Sequence, residues 1–390
     1  MQPFAGLRIL ELGHVVAGPF ATFILGNLGA EVIKIERPRE GDPARSYPEM
    51  GASIFVAYNA GKKSVTLNLK SPVGREILLK LVETADAVVE NYSPGVMESL
   101  GLSYEDMRRV NPRIIYCSIK GFGPGPYRQR PAMEALVQSL SGFMSLVGEP
   151  GGPPLRSPAP IMDCSSGLFA ALAVVVALHA RQATGRGQKV EVALFETGAL
   201  LMSLWLAYYA LYNVLPERLG AGHLVWAPYG LFKASAGKQV FIGVSSDKHW
   251  KLLCEAFNNR ELAEDPKFQT MQGRVANKKE LTQRLEGILQ GFKVEEIVDR
   301  LVSFNVPAAP MNTLDKVLND EHFNASKTVF RTETDGGKSV KLPVAPIIGA
   351  EFAAEVHDGL PRLGEHTEGI LKSLGYSDVD VETFKRQKCI

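Results

Sequence analysis

Short apolar runs without polar alternation, separated by stretches of helical period, set the strongest limit on what this chain can fold into. Residues 7–12, 30–35, 64–69, 87–90 and 113–119 are strand-like, while 19–28 and 73–84 between them are helix-like. A strand with one wet face alternates polar and apolar side chains, and a strand covered on both faces has no need to. Strands of the second kind joined through helices predict a parallel sheet with helices on both sides, a doubly wound, Rossmann-like α/β domain. Its ligand should lie beyond the carboxyl ends of the strands. Further along, residues 227–244 predict a β-hairpin turning at Ala236-Gly237-Lys238. Residues 249–257, 278–289 and 294–304 then predict the helices of a smaller α+β unit, and 360–376 predict a loop and a helix capped by Glu-His-Thr.

Composition excludes several classes of function. A length of 390 residues makes two domains the default expectation. Net charge is +1 with no Lys/Arg-rich run, so nothing points to nucleic acid or an anionic membrane. Cys117, Cys164, Cys254 and Cys389 are widely spaced, which argues against a zinc site or disulfide framework and for a reducing compartment, the cytoplasm. The first residues carry no basic segment followed by an apolar one, so no secretory signal is expected. Residues 198–215 lack charge and approach the length of a membrane span, but they stand alone. A helix buried between domains or subunits is the expected reading.

Several motifs bear on chemistry. The first strand-to-helix turn, Gly13 to Pro19, would suit an anion at a helix N-terminus. Its glycines are five apart and fail the dinucleotide pattern. Glu36 ends the second strand where a ribose-binding acid would stand, and Arg37 beside it would suit a ribose phosphate, as in NADP or coenzyme A. Asn91-Tyr92-Ser93 follows the strand ending at Glu90 and offers an amide and an aromatic face, or merely a turn. Lys120 opens a glycine-rich loop where it could meet a phosphate. His14 and His223 are each as readily structural as substrate-facing. Asp163 lies between a Pro-rich loop and an apolar helix, and local sequence favours an ordinary N-cap there.

Longer runs shift that balance. AGPFATFILGNLGAEVIKIERPREGDPAR (residues 17–45), NYSPGVMESLGLSYEDM, IYCSIKGFGPGPY, the segment 156–188 and then APYGLF, FQTMQGRVANKKEL, NVPAAPMNTL and LPRLGEHTEGIL resemble the class III CoA-transferases of the CaiB/BaiF type. The match spans nearly the whole chain in order. It implies that Asp163 is a nucleophile, passing through an aspartyl anhydride and an aspartyl-CoA thioester as CoA moves from an acyl-CoA to a small carboxylic acid. By position it also implies coenzyme A contacts at Val16, Ala17, Arg37, Leu67 to Lys70, Asn91, Tyr92, Ser93 and around Met97 and Ser99. The loop carrying Met133 and Glu134 would line the site, and Arg156 is a candidate partner for a second carboxylate, so a short dicarboxylate such as succinate is expected.

The chain also departs from its relatives. Related racemases have His then Asp where this chain has Met133 and Glu134, so that chemistry lacks a base and becomes a lesser alternative, beside a non-catalytic CoA-binding protein. Formyl-CoA transferase has a glycine run where this chain has His223-Leu224-Val225-Trp226, so a bulkier site and other acids than formate and oxalate are expected. The resemblance implies a large domain (1–197), an apolar linker (198–222), a small inserted domain (223–315), a return linker (316–345) and a closing segment (346–390). It further implies an interlocked homodimer, with no metal and no permanently bound cofactor.

Overall fold

The computed structural model describes residues 2–48, 50–334 and 336–390, which divide into two compact units. The first comprises residues 1–143, 157–207 and 321–390, and the second comprises 144–156 and 208–320. Residues 144–156 were expected in the large domain and belong instead to the second unit. Residues 321–345 were expected in a linker and belong to the first, where Val329–Glu333 and Ser339–Pro343 form an antiparallel pair.

The first unit is built on one parallel sheet. Its strands are β1 (Arg8–Leu12), β2 (Glu31–Glu36), β3 (Lys63–Thr66), β4 (Ala87–Glu90), β5 (Ile115–Lys120) and β6 (Lys189–Ala193). They lie in the order β3-β2-β1-β4-β5-β6, each pair parallel. Successive side chains point to opposite faces, and both faces are covered. Ile9, Val32, Val89, Ile115 and Cys117 join a core with the helices Ala17–Asn27 and Ile161–Thr184. Leu10, Leu12, Ile33, Val65 and Val88 join another with the helix Pro72–Glu83. This explains why the strands carry no alternation in sequence.

Strand order reverses between β1 and β4, where Leu12 pairs with Glu90. A ligand crevice is expected at that switch point. The edge strand β3 is covered from far along the chain. Ser64 donates its backbone N–H to His366 Nδ1 at 3.2 Å, Gly364 donates to Ser64 Oγ at 2.9 Å, and Thr66 donates to Thr367 Oγ1 at 3.0 Å. Covering an edge in this way blocks pairing with other chains. The helix Thr367–Ser373 begins after His366 without a side-chain cap, so the Glu-His-Thr cap expected there does not form.

Residues 198–215 differ from the single buried helix expected. They contribute to two helices, Leu194–Leu201 and Ser203–Tyr212, bent by 59° at Met202, and no residue of the second is buried. The second unit has an antiparallel sheet of β7 (Tyr229–Lys233), β8 (Gln239–Gly243) and β9 (Ala308–Pro310). Trp250, Leu253, Leu281, Leu285 and Ile297 from its helices and Phe268 from a turn between them pack with those strands into a separate core.

Candidate active site

At the switch point the backbone is held in a strained form. Val15 has φ +61°, in the left-handed region that β-branched residues avoid. Such a residue is destabilised by roughly 1–3 kcal/mol and persists only where its surroundings over-determine it. Here the amide of Asn91 accepts from the His14 N–H at 2.8 Å and donates to the His14 carbonyl at 3.0 Å. The Asp42 carboxylate accepts the Val15 N–H at 3.1 and 3.2 Å, and Lys34 Nζ donates to the Gly13 carbonyl at 3.1 Å. His14 stacks on Tyr92 with ring centroids 5.5 Å apart, and its buried Nδ1 has no hydrogen-bond partner among the described residues. Burial pushes its imidazole below the usual histidine range.

Charge beneath this turn is buried and balanced. Lys34 Nζ lies 2.6 Å from Glu11 and 2.8 Å from Asp42, while Lys62 lies 2.7 Å from Glu11. All four side chains are at most 3 % exposed. Burial disfavours each charge, but the lysines outweigh it for Glu11, and Lys34 does so for Asp42, so both acids titrate below their ordinary range. Burial acts against Lys34 as well, yet its two acid neighbours raise it. Lys62 has Glu11 alone at ion-pair distance and feels Lys34, so burial wins and its ammonium is lowered to about 8.

Two other strand-end acids are also engaged. Glu36 accepts Arg45 at 2.8 and 2.9 Å and Ser64 Oγ at 2.6 Å, which leaves it unavailable to a ribose. Glu90 takes Lys120 at 2.7 and 2.8 Å, and Lys120 also donates to the Tyr92 carbonyl at 2.7 Å. Lys120 is therefore not the free ammonium expected for a phosphate; it cross-braces β4 and β5.

Asp163 stands in a different setting. The helix Ile161–Thr184 begins after Pro160, which has no side chain able to cap it. Its open amides are met from outside: Met162 donates to Glu134 Oε1 at 3.1 Å and Asp163 donates its backbone N–H to Glu134 Oε2 at 2.7 Å. Gln138, fully buried one turn along the helix Glu134–Leu140, donates to the same carboxylate at 2.7 Å and accepts the Ser157 N–H at 2.9 Å. Glu134 thus performs the capping that local sequence assigned to Asp163. The Asp163 side chain makes no hydrogen bond among the described residues. Burial first, and the Glu134 charge second, raise its pKa to about 7.

Its neighbours are small, aromatic and sulfur-bearing. Tyr58, on the helix Met50–Asn59, lies 3.7 Å from Cys164 Sγ and meets Phe20 edge-on at 5.3 Å. Burial pushes the Cys164 thiol up to about 11. A Cβ on Gly167 would come within 2.7 Å of the Ala17 carbonyl, so glycine allows the long helix to cross close to the start of Ala17–Asn27. That crossing sets Asp163, one turn earlier, beside the helix that follows the strained turn.

Other expected site residues are dispersed. Val16 and Ala17 are buried at the start of their helix, and Asn91 and Tyr92 meet the same turn through His14. Arg37 reaches solvent, paired loosely with Glu40 at 3.6 Å; Lys70, Ser93 and Ser99 are exposed. Leu67 and Met97 are 1 % and 2 % exposed within the core, so only their backbones could reach a ligand. Met133 is exposed. Arg156, His223 and Trp226 belong to the second unit, where His223 and Trp226 stack at 4.0 Å. A cavity of about 240 Å³ bordered by Glu31, Val32 and Lys63 opens at the amino ends of β2 and β3, away from the switch point. Sequence reasoning missed Tyr58, Gln138 and Asp42; only Gln138, one turn after Glu134, had a local signal.

Comparison with known proteins shows the family of the chain. The family described as CoA-transferase family III matches residues 4–367. The succinyl-CoA–L-malate CoA-transferase alpha subunit of Chloroflexus aurantiacus is 34% identical over 98% of this chain and 91% of its own length. The succinyl-CoA:glutarate CoA-transferase of Mus musculus is 34% identical over 98% of this chain and 89% of its own. A solved structure of a CaiB/BaiF family protein from Brucella suis superposes with a TM-score of 0.87 at 34% identity, covering 96% of this chain and 99% of that one.

Proposed function

Because this chain belongs to CoA-transferase family III, we propose that it moves coenzyme A between small carboxylic acids, with a short dicarboxylate such as succinate on one side of the exchange, and that Asp163 carries the transfer covalently. The observation that bears most weight is the unpartnered Asp163 carboxylate. Glu134 occupies the amides that would otherwise stabilise it, and burial raises its basicity. A more basic carboxylate is a better nucleophile, and near neutral pH a large fraction of it remains ionised.

The steps follow from that group. The Asp163 oxygen attacks the thioester carbonyl, the C–S bond breaks, and CoA leaves as thiolate with an aspartyl anhydride formed. The thiolate attacks the aspartyl carbonyl of the anhydride, releasing the donor acid and leaving an aspartyl-CoA thioester. The acceptor carboxylate attacks that thioester and expels the thiolate, which then attacks the acyl carbonyl to give the new acyl-CoA and free Asp163. One thioester replaces another, so no step needs net energy input. The task of the site is to keep water from the anhydride. The two relatives above are named for succinyl-CoA, which supports the choice of donor.

Two further elements belong to the proposal. Leu168, Leu172 and Val176 form an exposed apolar row along the helix Ile161–Thr184, and the helix Ser203–Tyr212 buries none of its residues. Apolar surface of this extent marks a partner, here a second copy in an interlocked homodimer that should not separate on dilution without unfolding. The four cysteines are all free thiols, which supports a cytoplasmic setting. The test of the central reading is direct. After incubation with succinyl-CoA and a rapid quench, mass spectrometry should find an adduct on Asp163. Asp163→Asn should lose adduct and turnover while folding normally; a fully active Asn variant would overturn the mechanism.

A further inference from the structure

The geometry points to Asp42 as a positioning residue for coenzyme recognition: its carboxylate holds Val15 in the left-handed conformation and so sets the shape of the turn at the switch point. This inference rests on the transferase reading above and names a residue through which that reading would work. Val15 is the only residue of the turn 13–16 with positive φ, and it is β-branched, the side-chain type least suited to that region. Asp42 accepts its N–H with both carboxylate oxygens, and Asp42 is itself anchored: Lys34 lies 2.8 Å away and its own N–H reaches Glu36 at 3.0 Å. The clamp is buried, with Asp42 3 % exposed and Lys34 fully enclosed.

Its effect falls where a ligand is expected. The turn joins the carboxyl end of β1 to the helix Ala17–Asn27 at the point where strand order reverses. That helix has Val16 as its N-cap and no side-chain cap, and the turn's His14 Nδ1 is buried with no hydrogen-bond partner among the described residues. A backbone held away from its preferred shape before the ligand arrives loses less freedom on binding. The carboxylate acts on coenzyme A only through Val15, and it need not touch the coenzyme.

The test is a four-protein cycle on the full chain, read by calorimetric titration with free coenzyme A. Asp42→Asn keeps the side chain's shape while removing its charge, and should weaken binding about tenfold. Val15→Gly should bind within about twofold of the wild type, because glycine occupies the left-handed region unaided. The double variant should recover to within about threefold of the wild type, since a glycine turn no longer needs the clamp. KM for the acyl-CoA should follow the same order, with kcat changing much less. A purely structural Asp42 gives a double variant no better than Asp42→Asn, which overturns the inference, as does Asp42→Asn binding like the wild type. Should Asp42→Asn alone fail to fold, a double variant that folds and binds sustains the inference, and one that stays unfolded overturns it. Wild-type protein that binds no coenzyme A would instead remove the transferase reading.

Discussion

The carboxylates at the strand ends and the carboxylate at the start of the long helix follow opposite rules within one unit of the molecule. Glu11, Asp42, Glu36 and Glu90 are buried, and each has a lysine or arginine within 2.9 Å. Asp163 is half-buried and has no cation beside it among the described residues; burial first, and the neighbouring Glu134 carboxylate second, raise its pKa. Buried acids are ordinarily matched in the first way, because an uncompensated charge in a low dielectric is costly. On the proposed mechanism the difference separates scaffold from chemistry: the unmatched acid, Asp163, is the one proposed to form a bond.

The sharpest break of this contrast is Asp163→Asn, which should lower transfer on the order of 10⁴-fold, the scale seen when a covalent nucleophile's machinery is removed. Steady-state assay with saturating succinyl-CoA checks it, together with a circular dichroism spectrum matching the wild type. Next in size is Glu11→Ala. It strips Lys34 and Lys62 of their shared partner and should destabilise the fold by about 3–5 kcal/mol, read from a urea unfolding midpoint.

The acid limb of the rate profile is a smaller effect. With Asp163 titrating near 7, kcat/KM should fall about tenfold per pH unit below that value, because only the carboxylate attacks. Glu134→Gln removes the second cause of the raised pKa and should move the limb to lower pH by up to about one unit, equivalent to about 1.4 kcal/mol. A limb that stays in place would show that burial alone sets it.

The smallest effect concerns stability, and its sign runs against intuition. The folded pKa of Asp163 is raised, so the native state holds the proton more tightly than the unfolded chain. The stabilisation is complete below about pH 4 and is lost as pH rises through about 7. Asp163→Asn should therefore be more stable than the wild type at pH 8, with the gap closing toward pH 4. Thermal melts at the two pH values check it.

Much of this architecture is visible in the chain itself, for identifiable reasons. The first five strands lack polar alternation because both sheet faces are covered, and that signal is local. The sixth, KVEVA, lies at a sheet edge with partly exposed residues, and its alternation hid it. The bend at Met202 has neither glycine nor proline to announce it. Asp163 was legible as a residue of interest, but its role was not legible from its surroundings. Distinguishing a cap from a free carboxylate depends on Glu134, which reaches the helix from 29 positions earlier. The neutralisation of Lys120 and Glu36 escaped for the same reason: each partner lies on a neighbouring strand or a later loop.

The seal on β3 has a consequence for synthesis. Residues 364–367 close that edge about 300 positions after the strand itself is made. At roughly 5–20 residues per second, a ribosome spends about 15–60 s between the two. Throughout that interval the nascent sheet carries an open flank, so the growing chain depends on fast translation, dilution or a chaperone to keep neighbouring polypeptides from docking there first.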